Sequence, residues 1–230
     1  MAERKAQPFA TATGNAATPV STRGIEINRV LRNTYMLLGM TLAWSAVVAG
    51  VSMAANAPYP GPIITLVGFF ALLFAVHKTA NSAWGLLWVF AFTGFLGYTL
   101  GPILNAYMGM ANGGTLVTSA LATTAVAFVG LSGYALITRK DFSFLSGFLM
   151  VGFFVLMGAV VLSLFFDLGA FHTAISAGFV LFASAAILWQ TSAIVHGGET
   201  NYVIATVVLY TQIYNLFLSL LHIFGVMGED

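Results

Sequence analysis

Long apolar runs separated by short polar breaks dominate the chain from about residue 34 onward. A helix rises 1.5 Å per residue, so about 20 consecutive apolar residues cross the hydrocarbon core of a bilayer. That length picks out seven membrane helices, over 34–55, 61–77, 84–106, 115–137, 143–166, 170–195 and 202–225. The second run is the shortest. Pro62 suits its first turn, where a missing amide proton costs nothing, and Lys78 marks its end. Ahead of the first run, Ile25, Ile27, Val30 and Leu31 are interspersed with Glu26, Arg29 and Arg32, which predicts a short interfacial helix over 24–33. Residues 1–24 are rich in Ala, Thr, Pro and Gly and have almost no large apolar side chains. Such a segment cannot bury enough surface to offset its ordering entropy, so a disordered tail is expected. The expected organisation is an all-α membrane protein with a tail over 1–24 and a seven-helix transmembrane domain over 25–230.

Composition agrees with this pattern and narrows the chemistry. Apolar residues make up 59% of the 230 and charged residues 7%. A soluble domain is about a quarter charged, so most of this surface must face lipid, and lipid is the first expected partner. No nucleic-acid partner and no cofactor are expected. With no cysteine, the chain has no disulfide, thiolate metal site or thiol nucleophile. No apolar core with a small-residue cleavage site precedes the first run, so the first span is expected to act as its own signal.

The formal net charge of +1 says little, but its distribution orients the chain. Arg4, Lys5, Arg23, Arg29 and Arg32 precede the first span, Lys78 lies in the second loop, and Arg139 and Lys140 lie in the fourth. These eight are all of the Lys and Arg residues. The loops near Ala57, Gly109 and Asp167 and the C-terminal Gly228-Glu229-Asp230 hold none. The positive-inside rule therefore puts the N-terminus in the cytoplasm and the C-terminus outside. Adding or removing one span would scatter these charges over both faces.

A polar side chain inside the bilayer must find a partner or cost several kcal/mol, so the few within the spans are where function is sought. No Asp, Glu, Lys or Arg lies deep in any span. The foremost candidates are Gln190 in the sixth span and Gln212 in the seventh, followed by Asn215, Thr191, Tyr210 and Tyr214. Counted from His196 and Tyr202, the two glutamines sit roughly 9 and 15 Å deep and could meet across antiparallel helices. They read either as a neutral amide pair joining two helices, worth about 1 kcal/mol, or as an ion or polar-substrate site. Gly94, Gly97 and Gly101, with Pro102 after them, read as a close-packing face with a proline kink, or as a hinge beside a pathway with Asn105 near its outer end.

Three other features need weighing. His172 and His222 fall near the predicted outer face, where an interfacial hydrogen bond is expected ahead of a metal site. Gly130-Leu131-Ser132-Gly133 has the form of an intramembrane serine nucleophile, with His196 toward the same face. Such Gly/Ser patterns are also common in packed membrane helices, and a non-enzymatic protein is expected. The chain has neither a His-Glu-x-x-His zinc motif nor a Gly-Lys-Ser phosphate loop. At the cytoplasmic face, Lys78, Arg139, Lys140, His196 and Glu199 form the candidate partner surface.

Several motifs, in order, carry a resemblance. Phe92-Thr93-Gly94-Phe95-Leu96-Gly97-Tyr98 through Gly101-Pro102-Ile103-Leu104-Asn105, Trp189-Gln190-Thr191, and Leu209-Tyr210-Thr211-Gln212-Ile213-Tyr214-Asn215-Leu216-Phe217 resemble segments of the Bax inhibitor (TMBIM-type) family. Val30-Leu31-Arg32-Asn33-Thr34-Tyr35, Lys78-Thr79-Ala80-Asn81, Thr138-Arg139-Lys140-Asp141 and His196-Gly197-Gly198-Glu199-Thr200-Asn201-Tyr202 are similar to its bacterial YccA branch. The resemblance covers about residues 28–225. It implies a seven-helix fold with the seventh helix central. In calcium-leak members of the family, an aspartate on each of the last two helices forms a pH-sensitive latch; here both positions are glutamine, Gln190 and Gln212. An amide does not titrate, so the resemblance implies at most a pH-insensitive cation leak. The YccA branch implies instead an inner-membrane protein bound to the FtsH protease complex with HflK/HflC, as a substrate that also restrains it. A flexible cytoplasmic tail fits that role, because an energy-driven protease needs a segment to grip.

Overall fold

The computed structural model describes residues 20–166 and 171–228, and among these the chain is all helix and turn. Seven helices follow in order: α1 Val20–Ala54, α2 Pro62–Thr79, α3 Ala83–Met108, α4 Gly113–Thr138, α5 Leu145–Ser163, α6 Phe171–Val195 and α7 Tyr202–Met227. All seven are long and apolar enough to cross a membrane. Their bounds lie within a few residues of the apolar runs, with one correction. The interfacial helix expected over 24–33 is not a separate element. α1 is one 35-residue helix, about 52 Å long, which exceeds the roughly 30 Å hydrocarbon core. Its first turns therefore project beyond the bilayer. Residues 20–24, expected in the tail, belong to this helix, and the rest of that expected tail lies outside the described residues.

Local signals explain the ends. Pro62 opens α2, where its missing amide proton is one that a first turn leaves unbonded. Asn201 caps α7, its side chain accepting from the amides of Val203 and Ile204. Arg139 ends α4 in the left-handed region, φ 49°, and turns the chain toward α5.

α7 is the hub of the bundle. It packs against α1, α2, α3, α4 and α6, whereas α5 touches α6 alone. The two apolar cores meet along α7. One joins Leu38, Val76, Val89, Phe92 and Leu96 to Val207 and Tyr210. The other joins Ala120, Ala183 and Ile187 to Leu216, Phe217 and Leu221.

The α1–α3 seam shows why the small residues of α3 are where they are. Spacings of three and four put Gly94, Gly97 and Gly101 on one helical face. A Cβ on Gly94 would meet Trp44, one on Gly97 the backbone and side chain of Ser45, and one on Gly101 the Ser52 side chain. Pro102, inside α3, has no amide proton for the carbonyl of Tyr98 four residues back. Ser52 Oγ donates to that carbonyl at 2.9 Å and replaces the lost bond. Asn105 Nδ2 ties the same helices further along, donating to Met53 O at 3.0 Å. In lipid no water is at hand to satisfy such a carbonyl, so the serine makes the proline tolerable.

Candidate functional site

Polar side chains gather on and around α7. Ser45 and Tyr210 share a 2.6 Å hydrogen bond, and Tyr210 Oη donates to Thr93 O at 3.3 Å. The phenol can donate only once, so Ser45 must be the donor in the shorter bond. One turn further, Tyr214 and Thr99 hydroxyls lie 2.8 Å apart. Thr206 bonds its own turn at Tyr202 O, 2.7 Å, with Thr34 O of α1 at 3.3 Å. These bonds lock α7 to α1 and α3 at three levels. Tyr210 and Tyr214 were singled out from sequence for being polar within a span; Ser45, Ser52 and Thr93 were not, because a lone hydroxyl in a membrane helix usually bonds its own preceding turn.

The four residues weighed as an intramembrane polar site are shared between α6 and α7. Gln190 and Thr191 are buried in α6. Thr191 Oγ1 lies 3.4 Å from Ser132 of α4 and 3.5 Å from the Tyr35 hydroxyl of α1, so it faces away toward those helices. Gln212 is buried in α7, and Asn215, one turn on, is half-buried. The amide pair that the two glutamines could form is not joined from Gln190 Nε2 to Gln212 Oε1. Each of those atoms is buried without a hydrogen-bond partner.

Ser132, whose Gly-Leu-Ser-Gly setting has the form of a nucleophile, is occupied in packing. Ser132 sits against Thr191, while His196 Nδ1 lies 2.9 Å from Ser192 O, one turn back in its own helix. At the opposite end of α6 and α7, the rings of His172 and His222 stand 6.4 Å apart at 60°. Among the described residues no group of three or more His, Cys, Asp or Glu side chains could hold a metal ion.

The end of the bundle that carries the basic loops is tied together by backbone and side-chain hydrogen bonds. Ser192 Oγ accepts from the Phe142 amide at 3.0 Å and donates to Lys140 O at 3.2 Å, joining the α4–α5 loop to α6. Asn201, besides capping α7, donates to Asn81 Oδ1 at 2.8 Å and Ala80 O at 3.2 Å, joining the α6–α7 turn to the α2–α3 turn. Glu199 accepts from the Asn201 amide at 2.7 Å. In the α4–α5 loop the Ser143 amide donates to Asp141 at 2.8 Å. That bond, with the Ser143 side chain, holds the exposed Asp141 carboxyl below its usual range. Of the expected partner surface, Lys78, Arg139, Lys140 and His196 are exposed and Glu199 is half-buried. Lys140 leans back on Tyr134, its Nζ 3.4 Å from the phenol oxygen. Beside the α6–α7 turn, the projecting part of α1 closes a groove of about 380 Å³ lined by Glu26, Arg29, Asn33, Glu199, Thr200 and Tyr202. Asn201 and Ser192 were missed as organising residues. For Asn201 the signal was available, since an asparagine directly before an apolar run is a helix cap.

A protein of Pseudomonas aeruginosa, described as uncharacterized, is 62% identical over 205 residues, covering 89% of this chain and 92% of that protein. An Escherichia coli protein named modulator of FtsH protease YccA is 52% identical over 206 residues, covering 90% and 94%. Its counterpart in a second Escherichia coli strain, at the same identity and coverage, is named inner membrane protein YccA. The family model described as inhibitor of apoptosis-promoting Bax1 matches residues 27–229. With nearly the whole chain matched, the fold, the polar α7 and the basic-end turns are those of a seven-helix membrane protein belonging to the Bax inhibitor family.

Proposed function

We propose that this chain is a non-enzymatic protein of the bacterial inner membrane that binds the FtsH protease complex, with its HflK/HflC components, modulates it, and is itself a substrate. The N-terminus is cytoplasmic and the C-terminus periplasmic. The observation that carries this reading is the likeness to the Escherichia coli protein named as an FtsH modulator, which extends over 94% of that protein. The structure supports it in two ways. The α2–α3, α4–α5 and α6–α7 turns share one end, two of these junctions being hydrogen-bonded, which gives a partner a preordered surface with Lys78, Arg139, Lys140, His196 and Glu199 on it. The projecting turns of α1 add a polar groove beside that surface.

Residues 1–19 are the handle that the protease grips, and the closely packed α1–α3–α7 core resists extraction. The alternative, a pH-insensitive cation leak, rests on family membership alone. Two experiments test the reading. Purification from native membranes in mild detergent should recover the FtsH complex, and a preparation free of the protease would move the assignment to the leak. Deleting residues 2–19, which leaves α1 whole, should lengthen the protein's half-life in cells several-fold without preventing insertion. Unchanged turnover would remove the handle.

A further inference from the structure

A groove of about 480 Å³ runs along α2 and is lined also by α3, α5, α6 and α7. On α2 the lining positions Pro62, Thr65, Leu66, Phe69, Leu73 and His77 recur at helical spacing and form one face. From Pro62 to His77 that face is about 22 Å long, well over half of the roughly 30 Å hydrocarbon core. α2 and α5 both line the groove and do not pack on each other, so it opens sideways between them. In a membrane that mouth faces lipid.

The dimensions select the occupant. A volume of 480 Å³ over about 22 Å is a mean cross-section of about 22 Å². A transmembrane helix, about 10 Å across, needs about 80 Å², so it would rest on the mouth and leave the groove unfilled. A single hydrocarbon chain fits. The walls suit it, with Phe69, Phe70, Phe153, Phe179 and Phe182 among them. Left empty, these rings would forgo dispersion contacts on one side, and so apolar a lining gives water few partners.

The two ends differ, and the difference sets the direction of the chain. Tyr59 borders one end, on the side of the bundle whose loops hold no Lys or Arg. His77 borders the other, where the basic loops are. Among the described residues that line the groove, His77 alone can carry a positive charge, and no Asp or Glu is present to neutralise it. Its Nδ1 lies 2.9 Å from Leu73 O in the same helix, which leaves Nε2 for a ligand. Lys78, next in the chain, is exposed and has no hydrogen-bond or ion-pair partner among the described residues. Basic groups at the end of a cleft between membrane helices suit an anionic lipid head.

We propose that the groove binds an anionic phospholipid. One acyl chain lies along α2 between the phenylalanine walls, the second stays in the bilayer outside the α2–α5 mouth, and the phosphate sits at His77 and Lys78. The buried chain supplies the affinity and the basic groups the selectivity, because exposed charges are individually weak. The proposal does not rest on the protease reading, since it concerns this chain alone in lipid.

The full-length protein is reconstituted in nanodiscs of equal parts palmitoyl-oleoyl phosphatidylglycerol and phosphatidylcholine, and the lipids retained after ejection are counted by native mass spectrometry. Phosphatidylglycerol should be retained about fivefold over phosphatidylcholine, the factor that one basic side chain supplies near an anionic head. His77→Gln combined with Lys78→Gln should bring that ratio to about one while a phospholipid is still retained. Val160→Trp on α5 and Val208→Trp on α7 fill the groove from two walls, and each should lose both lipids. Val155→Trp, on the exposed side of α5, should behave as the parent does. Size-exclusion profiles establish which variants are folded, and Val160→Trp, on the helix that packs against α6 alone, decides the matter if Val208→Trp aggregates. Excess glycerol phosphate, a head without a chain, should displace nothing. Equal retention of the two lipids by the parent, a preference that survives the double substitution, unchanged retention in Val160→Trp, or displacement by glycerol phosphate would each overturn the proposal.

Discussion

α5 and α7 are both apolar enough to span a bilayer, and α5 is the more apolar of the two, yet α7 is 61% buried within the bundle and α5 only 6%. In water, greater hydrophobicity would put α5 at the centre. In lipid the solvent is itself apolar, so burial is decided by packing and hydrogen bonding. α7 carries Thr206, Tyr210, Gln212, Tyr214 and Asn215 through its middle, while α5 has only two serines, Ser146 and Ser163. The polar groups need partners, and the partners are other helices. α5 presents Phe148, Phe154 and Val155 outward and touches only α6. Centrality in this bundle is thus set by hydrogen-bonding demand together with small residues, and hydrophobicity marks the rim.

The sharpest way to break that comparison is to place the same side chain at the two kinds of position. Gly101→Leu sets a Cβ against Ser52 and the Met53 amide, pushing α3 from α1 and withdrawing the serine from the carbonyl freed by Pro102. A loss of about 3 kcal/mol or more is expected, at the upper end of overpacking, read as a lowered unfolding midpoint in detergent. Gly158→Leu in α5, where a Cβ has nothing within 4 Å, should stay within about 0.5 kcal/mol of the parent. Equal losses at the two sites would show that α5 is packed against something beyond this chain.

Next in size is Tyr210→Phe. It removes the bond with Ser45 and the one to Thr93 O, leaving a buried serine hydroxyl without its acceptor. The expected loss is about 1.5 kcal/mol by the same unfolding measurement. Thr65→Val on the rim removes only an intrahelical bond to Gly61 O and should cost a few tenths of a kcal/mol. If the two variants unfold together, the hydroxyl contacts of α7 do not hold the core.

Much of the fold was legible in the sequence because each part has a one-dimensional signature. Span number follows from run length, and the eight basic residues check the count by falling in alternate loops. The α3 glycines could be read as a packing face from their spacing alone. Two kinds of feature were not legible. The break placed after Asn33 was wrong because charged residues on an exposed helix look the same whether the helix lies along the interface or projects past it. Pairings across the bundle were equally hidden. Similar depth allowed Gln190 and Gln212 to meet but left the pairing open, because depth fixes height and leaves rotation about each helix free. In the fold, Thr191 turns toward Ser132, and the Gln190 and Gln212 amides leave a donor and an acceptor unbonded. The partners of Ser45 and Ser52 lay beyond sequence reading for the same reason.

The smallest effect expected is a gain. Gln190 is a polar side chain in the well-packed half of the bundle, and its Nε2 is buried without a partner. Leucine is similar in volume and carries no polar atom, so Gln190→Leu should remove a desolvation penalty without opening a cavity. Replacing a buried unsatisfied group in this way is neutral to stabilising, here by about 0.5 kcal/mol, seen as a small rise in the unfolding midpoint. Asn215→Leu on the cavity side should leave stability nearly unchanged, because the half-buried amide has open space beside it. A loss of more than about 1 kcal/mol on Gln190→Leu would mean that this amide is satisfied in the membrane. Hydrogen-bonding demand would then centre on α6 as well as α7, and the contrast between one polar hub and an apolar rim would have to become one of two hubs.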